Sequence, residues 1–120
     1  MKRERNTKGN DRLLIETIIY YCDEIAGNMD YYGKDEIKFM EDRHFQRDCA
    51  FCIAQIGETA GDLSEELTYK HPEIIWRDII GTRNIINHGY GVIKLNTVWA
   101  IVTEDVPVLK AACEKILNDL

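Results

Sequence analysis

From Leu14 onward, apolar residues return at steps of three and four. Leu14, Ile18, Tyr21, Cys22, Ile25 and Met29 form one stripe, the period of an amphipathic helix. Asn10 or Asp11 can cap its start, and Tyr31-Tyr32-Gly33 breaks the pattern, so a first helix is expected to run to about Asn28 or Met29. A short helix is predicted over Lys34 to Glu41. The next stripe, Phe45, Cys49, Cys52, Ile56 and Ala60 with Ile53 beside it, predicts a helix from about Arg43 to Asp62. Ser64 to His71 is polar and ends at Pro72, which suits the first turn of a new helix because proline's missing donor is not needed there. That helix carries Ile75, Trp76, Ile79, Ile80 and Ile86 and is expected to stop at Gly89, a natural helix cap. Tyr90 to Leu95 forms a connection, Asn96 reads as a cap, and a last helical region covers Val98 to Leu120. Pro107 bends or restarts that region.

Strand-like alternation is not sustained anywhere. Four long helices and one short one therefore predict an all-α fold, an antiparallel four- to five-helix bundle. Gly57 and Gly81 stand inside helical patterns, where each costs about 1 kcal/mol relative to alanine. Such a cost points to close backbone approach between helices. Residues 1–9 read as a flexible basic arm, and 10–120 as a single helical domain.

Composition narrows the classes. At 120 residues, 45% hydrophobic and 30% charged, the chain has the make-up of a globular domain. No apolar run approaches the ~20 residues of a membrane helix, and no secretory signal pattern follows the basic N-terminus, so a cytoplasmic location is expected. Cys49-x-x-Cys52 lacks a second Cys or His pair at zinc spacing. Both fall on one helix face, where they read as small core hydrophobes in a reducing compartment. The net charge of −6 is uneven. Lys2, Arg3, Arg5 and Lys8 outweigh Glu4 by three, leaving −9 on the remainder. Such a body lacks a broad basic face for nucleic acid, and any RNA must be gripped locally.

The fourth long helix carries the candidate chemistry. At ~100° per residue, Arg83 projects between Trp76 and the isoleucine side, so its guanidinium must face a cleft, an acidic partner or another subunit. His88 lies in the last turn, where the helix C-terminus favours imidazolium. Asn84, Asn87 and Tyr90 surround the pair. This set suits RNA cleavage by the neighbouring 2′-hydroxyl: a histidine moves the proton and a guanidinium binds phosphate oxygens. That chemistry needs no metal, and no convincing metal-ligand set or cofactor motif occurs. Taken singly, however, an arginine on a helix more often pairs with an acid, and a histidine near a helix end more often only caps it.

The segment Arg83-x-x-x-x-His88-Gly89-Tyr90, with Asn84 after the arginine, resembles the signature of the HepT-like toxins, a branch of the HEPN superfamily of helical ribonucleases. The likeness extends over roughly residues 10–120. It includes Gln55-Ile56-Gly57-Glu58 and Leu63-Ser64 in the middle, and His71-Pro72-Glu73-Ile74, Trp76-Arg77 and Ile79-Ile80-Gly81 before the signature. Val98-Trp99, Ile101-Val102, Asp105, Pro107 and Leu109 follow it. The resemblance implies a HEPN-like bundle that dimerises through the signature helix, forming a homodimer with a composite cleft. It implies a metal-independent endoribonuclease toxin with Arg83 and His88 catalytic and Asn84 and Asn87 in support. It further implies an MntA-like nucleotidyltransferase antitoxin that silences the toxin by AMPylation of Tyr90. Lys94 departs from the acidic residue of many relatives. An alternative reading is a non-catalytic helical partner presenting substrate to a nucleotidyltransferase. A degenerate relative whose Arg83 and His88 only stabilise the dimer is a third. Arg83 and His88 lie about 140° apart on one ideal helix, so the enzyme reading requires a site shared across two copies.

Overall fold

The computed structural model describes residues 10–88 and 94–120, the side chains of residues 85–88 excepted. Helix α1 spans Asp11–Tyr32, α2 Glu36–Glu41, α3 Arg43–Ala60, α4 Glu65–Lys70 and α5 Trp76–His88. Helix α6 (Leu95–Ala100) passes through a π-helical turn, Ile101–Asp105, directly into α7 (Val106–Asp119). No strand occurs among the described residues, and none of the helices is long and apolar enough to cross a membrane. The expected all-α bundle is what forms. Helix α3 packs between α1 and α5, and α7 closes against α1.

The stripes read from the sequence largely form the buried faces, although on α1 Ile15 is buried where Leu14 and Tyr21 of the expected stripe are only partly so. Ile15, Ile18, Cys22, Ile25 and Met29 of α1 meet Phe45, Cys49, Cys52, Ile53, Ile56 and Ala60 of α3. Helix α1 runs three or four residues beyond the expected end. It stops at Gly33, whose φ of 98° is open to glycine and whose N–H bonds Met29 O at 2.9 Å. Asp35 then caps α2, accepting from Ile37 N at 2.9 Å. Asp42 caps α3, accepting from His44 N at 2.9 Å and Phe45 N at 3.2 Å. At this end Phe39 and Phe45 pack edge to face with ring centroids 5.0 Å apart, and Trp99 approaches Phe39 at 5.2 Å. Helix α6 is thereby tied to α2 and α3.

Asn10 makes no side-chain cap bond. Asp11, the other candidate cap, reaches across the molecule instead. Its buried carboxylate accepts from Ser64 N at 2.9 Å and from Ser64 Oγ. Ser64 Oγ in turn caps α4 by accepting from Leu67 N at 3.2 Å. One carboxylate therefore fixes both the start of α1 and the start of α4.

Two local expectations are corrected. Pro72 does not open the signature helix. His71 precedes it with φ −123°, outside the helical range as proline requires of its predecessor, and its carbonyl accepts from Ile74 N and from Trp76 Nε1. Helix α4 ends before this turn and α5 begins four residues beyond the proline, leaving Ile75 60% exposed rather than in the core. Asn96 is not a cap, because α6 starts at Leu95 and Asn96 Oδ1 bonds the next amide, Thr97 N, at 3.0 Å. Pro107 bends or restarts the last helix as expected: α7 begins at Val106, directly after Asp105, with the proline in its first turn. The helix widens before it, with Val106 N–H reaching five residues back to Ile101 O. Such π turns accommodate an interruption of the helical ladder.

All four cysteines are free and buried. Desolvation pushes the thiols of Cys22, Cys49 and Cys113 up to about 12 and that of Cys52 to about 11. They act as neutral packing groups, as the helical placement of Cys49-x-x-Cys52 suggested.

Candidate active site

The α3–α5 contact is set by an absent side chain. A Cβ added at Gly57 would lie 3.0 Å from Ile79 O, 3.2 Å from Arg83 Cβ and 3.2 Å from Arg83 N. Only glycine lets the α5 backbone come this close. The helical cost at Gly57 thus has the expected explanation. Gly81 does not share it, since a Cβ there would meet nothing within 4 Å.

Beside this contact Arg83 Nη1 donates to Glu58 Oε2 at 3.1 Å. A Cβ built at Gly61 would lie 3.8 Å from the same nitrogen. The guanidinium therefore sits over the last turn of α3, the end of a helix that favours a cation. Of the three options left open for Arg83, an acidic partner is met within the chain itself. The pair is not sealed: the side chains are 34% and 44% exposed for Arg83 and Glu58. A guanidinium has five N–H donors, so one bond to Glu58 leaves donors to offer an anion from solvent.

Trp76, one face with Arg83 on the wheel, is buried and anchors the start of α5 through its indole N–H to His71 O at 3.1 Å. Asn84 is exposed one position beyond Arg83. The backbone of His88 lies on α5, five residues beyond Arg83. The side chains of Asn87 and His88 lie outside the described residues, as do Gly89 and Tyr90. Lys94 is exposed in the N-cap position of α6. Among the described residues, no group of three His, Cys, Asp or Glu side chains is arranged to hold a metal ion. The residue that reading the sequence passed over is Glu58. It stood within a recognised segment without a role, and the mid-helix glycine before it was the signal that α3 would meet α5 there.

Residues 15–116 match the family model described as ribonuclease HepT-like, a span that holds Gly57, Glu58, Arg83 and Asn84. The chain belongs to the HepT-like ribonuclease family. Its all-α bundle agrees with the HEPN-like architecture that the resemblance implied. Two candidate RNases of Methanocaldococcus jannaschii are similar over nearly all of it. One is 26% identical over 116 residues, 94% of this chain and 96% of that protein. The other is 28% identical over 102 residues, 83% of this chain and 94% of its own length. A Thermococcus cleftensis protein named probable ribonuclease HepT is 31% identical over 78 residues, 65% of this chain and 71% of that one. No solved structure gives a significant match. Family membership assigns the enzyme class, ribonuclease, and leaves the roles of individual residues to the geometry.

Proposed function

We propose that this HepT-like ribonuclease is a metal-independent endoribonuclease in which Arg83 binds the scissile phosphate and His88 moves the proton. The observation that carries the reading is the placement of Arg83. It is held at 3.1 Å by Glu58 over the end of α3 while still partly open to solvent. An exposed pair of this kind contributes only about 0.2–1 kcal/mol to folding. Its larger effect is to fix where the guanidinium points, and a fixed donor fork is what a phosphate developing charge needs.

In the proposed reaction the 2′-hydroxyl gives its proton to His88 and its oxygen attacks the adjacent phosphorus. The bond to the 5′-oxygen breaks, and that oxygen takes its proton from water. The products are a 2′,3′-cyclic phosphate and a 5′-hydroxyl. Arg83 binds the non-bridging oxygens, and Asn84 and Asn87 orient the reacting groups. Because Arg83 and His88 diverge on one ideal helix, the site is proposed to be completed by a second copy, with the C-terminal halves of the two α5 helices facing across a cleft. Within a toxin–antitoxin pair, AMPylation of Tyr90 by an MntA-like nucleotidyltransferase would place phosphate charge and bulk where RNA phosphate binds.

The test is cleavage of cellular RNA by the purified chain in EDTA, after intact-mass measurement has established that Tyr90 carries no AMP. Cleavage is expected to persist in EDTA and to fall by at least about 100-fold in His88→Ala, the scale of a lost general base, and comparably in Arg83→Ala. Intact RNA with the unmodified wild-type chain would overturn the reading. Sedimentation of the same sample is expected to show a dimer, and an active monomer would remove the shared cleft.

A further inference from the structure

Along α5, beside Ile75, Asp78, Ile79 and Thr82, the bundle leaves an apolar groove open. Its volume is about 570 Å³, within the roughly 300–1,000 Å³ of ligand-sized sites. The floor is built by Ile53 and Ile56 of α3, Ile79 of α5 and Leu109 of α7. Ile75 and Val108 also line it, and they are 60% and 70% exposed, unlike the core residues beneath them. Two aliphatic side chains held this far into solvent beside an apolar groove mark a contact surface.

The charge around the groove is of one sign. Glu73, Asp78 and Asp105 line it, and no Lys or Arg is among its lining residues. All three acids are exposed, and among the described ion pairs none joins any of them to a Lys or Arg; the His71 ring lies 3.3 Å from Glu73. This charge decides between occupants. A second copy packed by two-fold symmetry would set the same patch against itself, bringing the three carboxylates of each copy together, and like charges across an interface are costly. Residues 1–9 have the complementary charge, but Met1 is their one large apolar side chain, too little to fill an aliphatic groove.

We infer that this groove, between the N-terminal half of α5 and the π turn with α7, is the docking site for an amphipathic helix of another protein, whose apolar stripe is flanked by Lys and Arg. The apolar stripe fills the groove in the helix-in-groove manner, and its basic flanks meet Glu73, Asp78 and Asp105. The groove includes Asp78, Ile79 and Thr82 of α5, so the docked helix leans on the element that carries Arg83. It leaves the C-terminal half of α5 to the proposed RNA cleft. The inference does not depend on the proposed nuclease chemistry.

The experiment is fluorescence anisotropy with the full chain and three labelled peptides of about 16 residues, roughly 24 Å of helix. One has leucines on a single helical face flanked by lysines. The second keeps the leucines and replaces every lysine by glutamate. The third scrambles the first, keeping its charge and losing its face. The first is expected to bind at least about tenfold more tightly than either other, a difference of ~1.4 kcal/mol. Val108→Arg and Ile75→Arg, at exposed positions, are each expected to weaken it by about tenfold or more. Neutralising the rim with Glu73→Gln, Asp78→Asn and Asp105→Asn is expected to weaken it several-fold and flatten its salt dependence. Equal binding of the scrambled peptide would reduce the effect to net charge and overturn the proposal. So would unchanged binding in the Val108 and Ile75 variants, or a wild-type dimer that these two substitutions dissociate.

Discussion

Two carboxylates, Glu58 and Asp11, show how differently charged side chains act in one small molecule. Glu58 is 44% exposed and holds Arg83 at the surface, so Glu58→Gln is expected to lower stability by no more than about 1 kcal/mol. If it positions Arg83 for phosphate, RNA cleavage should nevertheless fall by roughly tenfold, ~1.4 kcal/mol of lost transition-state stabilisation. Comparing kcat/KM with urea denaturation of the same variant separates the two effects. Asp11 is the opposite case. It is buried and accepts two hydrogen bonds from Ser64, 53 residues away. Bonds to a charged group contribute about 1.5–3 kcal/mol, so Asp11→Ala is expected to cost about 2–3 kcal/mol in urea denaturation. The sequence placed Asp11 correctly at a helix start but supplied no sign of Ser64. A local capping rule sees only the next three amides, whereas this carboxylate answers to a residue delivered by the fold.

At the level of elements, α3 and α5 are paired by Gly57, and the two mid-helix glycines make opposite predictions. Gly57→Ala adds a methyl 3.0 Å from Ile79 O and 3.2 Å from Arg83 N, both backbone atoms that cannot swing aside. Overpacking of about 1–3 kcal/mol outweighs the ~1 kcal/mol gained in helix propensity, and the displaced α5 should lose nuclease activity as well. Gly81→Ala meets nothing within 4 Å and is expected to stabilise the chain by up to ~1 kcal/mol. Thermal denaturation of the two variants checks both signs. Periodicity named the helices because each stripe is a local property of 3.6-residue geometry. It could not tell Gly57 from Gly81, since both interrupt a helix equally and only the neighbouring backbone distinguishes them. Pro107 likewise left a bend or a restart open along the sequence, and the structure shows a π turn over Ile101–Asp105 leading directly into α7.

Across the whole molecule, the core is held with its four thiols neutral. Burial raises Cys22, Cys49 and Cys113 from the ordinary value of 9 to about 12, and Cys52 to about 11. Above pH 9 the unfolded chain releases thiol protons that the folded chain retains, so stability must fall as pH rises from about 9 towards 12. Denaturation midpoints measured across that range should decline, and a serine at Cys113 should lessen the slope. At pH 8 a thiol reagent should leave the folded chain unlabelled and react with the four cysteines on unfolding. The amino-acid sequence by itself determined the four long helices, most of their buried positions, the acidic body and the Arg83-to-His88 motif, because each follows from spacing or composition along one stretch of chain. The short helix α4 in the polar stretch after Ser64 was not among them. The tertiary structure alone decided that Arg83 meets Glu58, that Asp11 binds Ser64, that Gly57 is a contact and Gly81 is not, and that Ile75 lies beside an open groove. These depend on which backbones approach in space, and a pattern read along one helix carries no record of its neighbours.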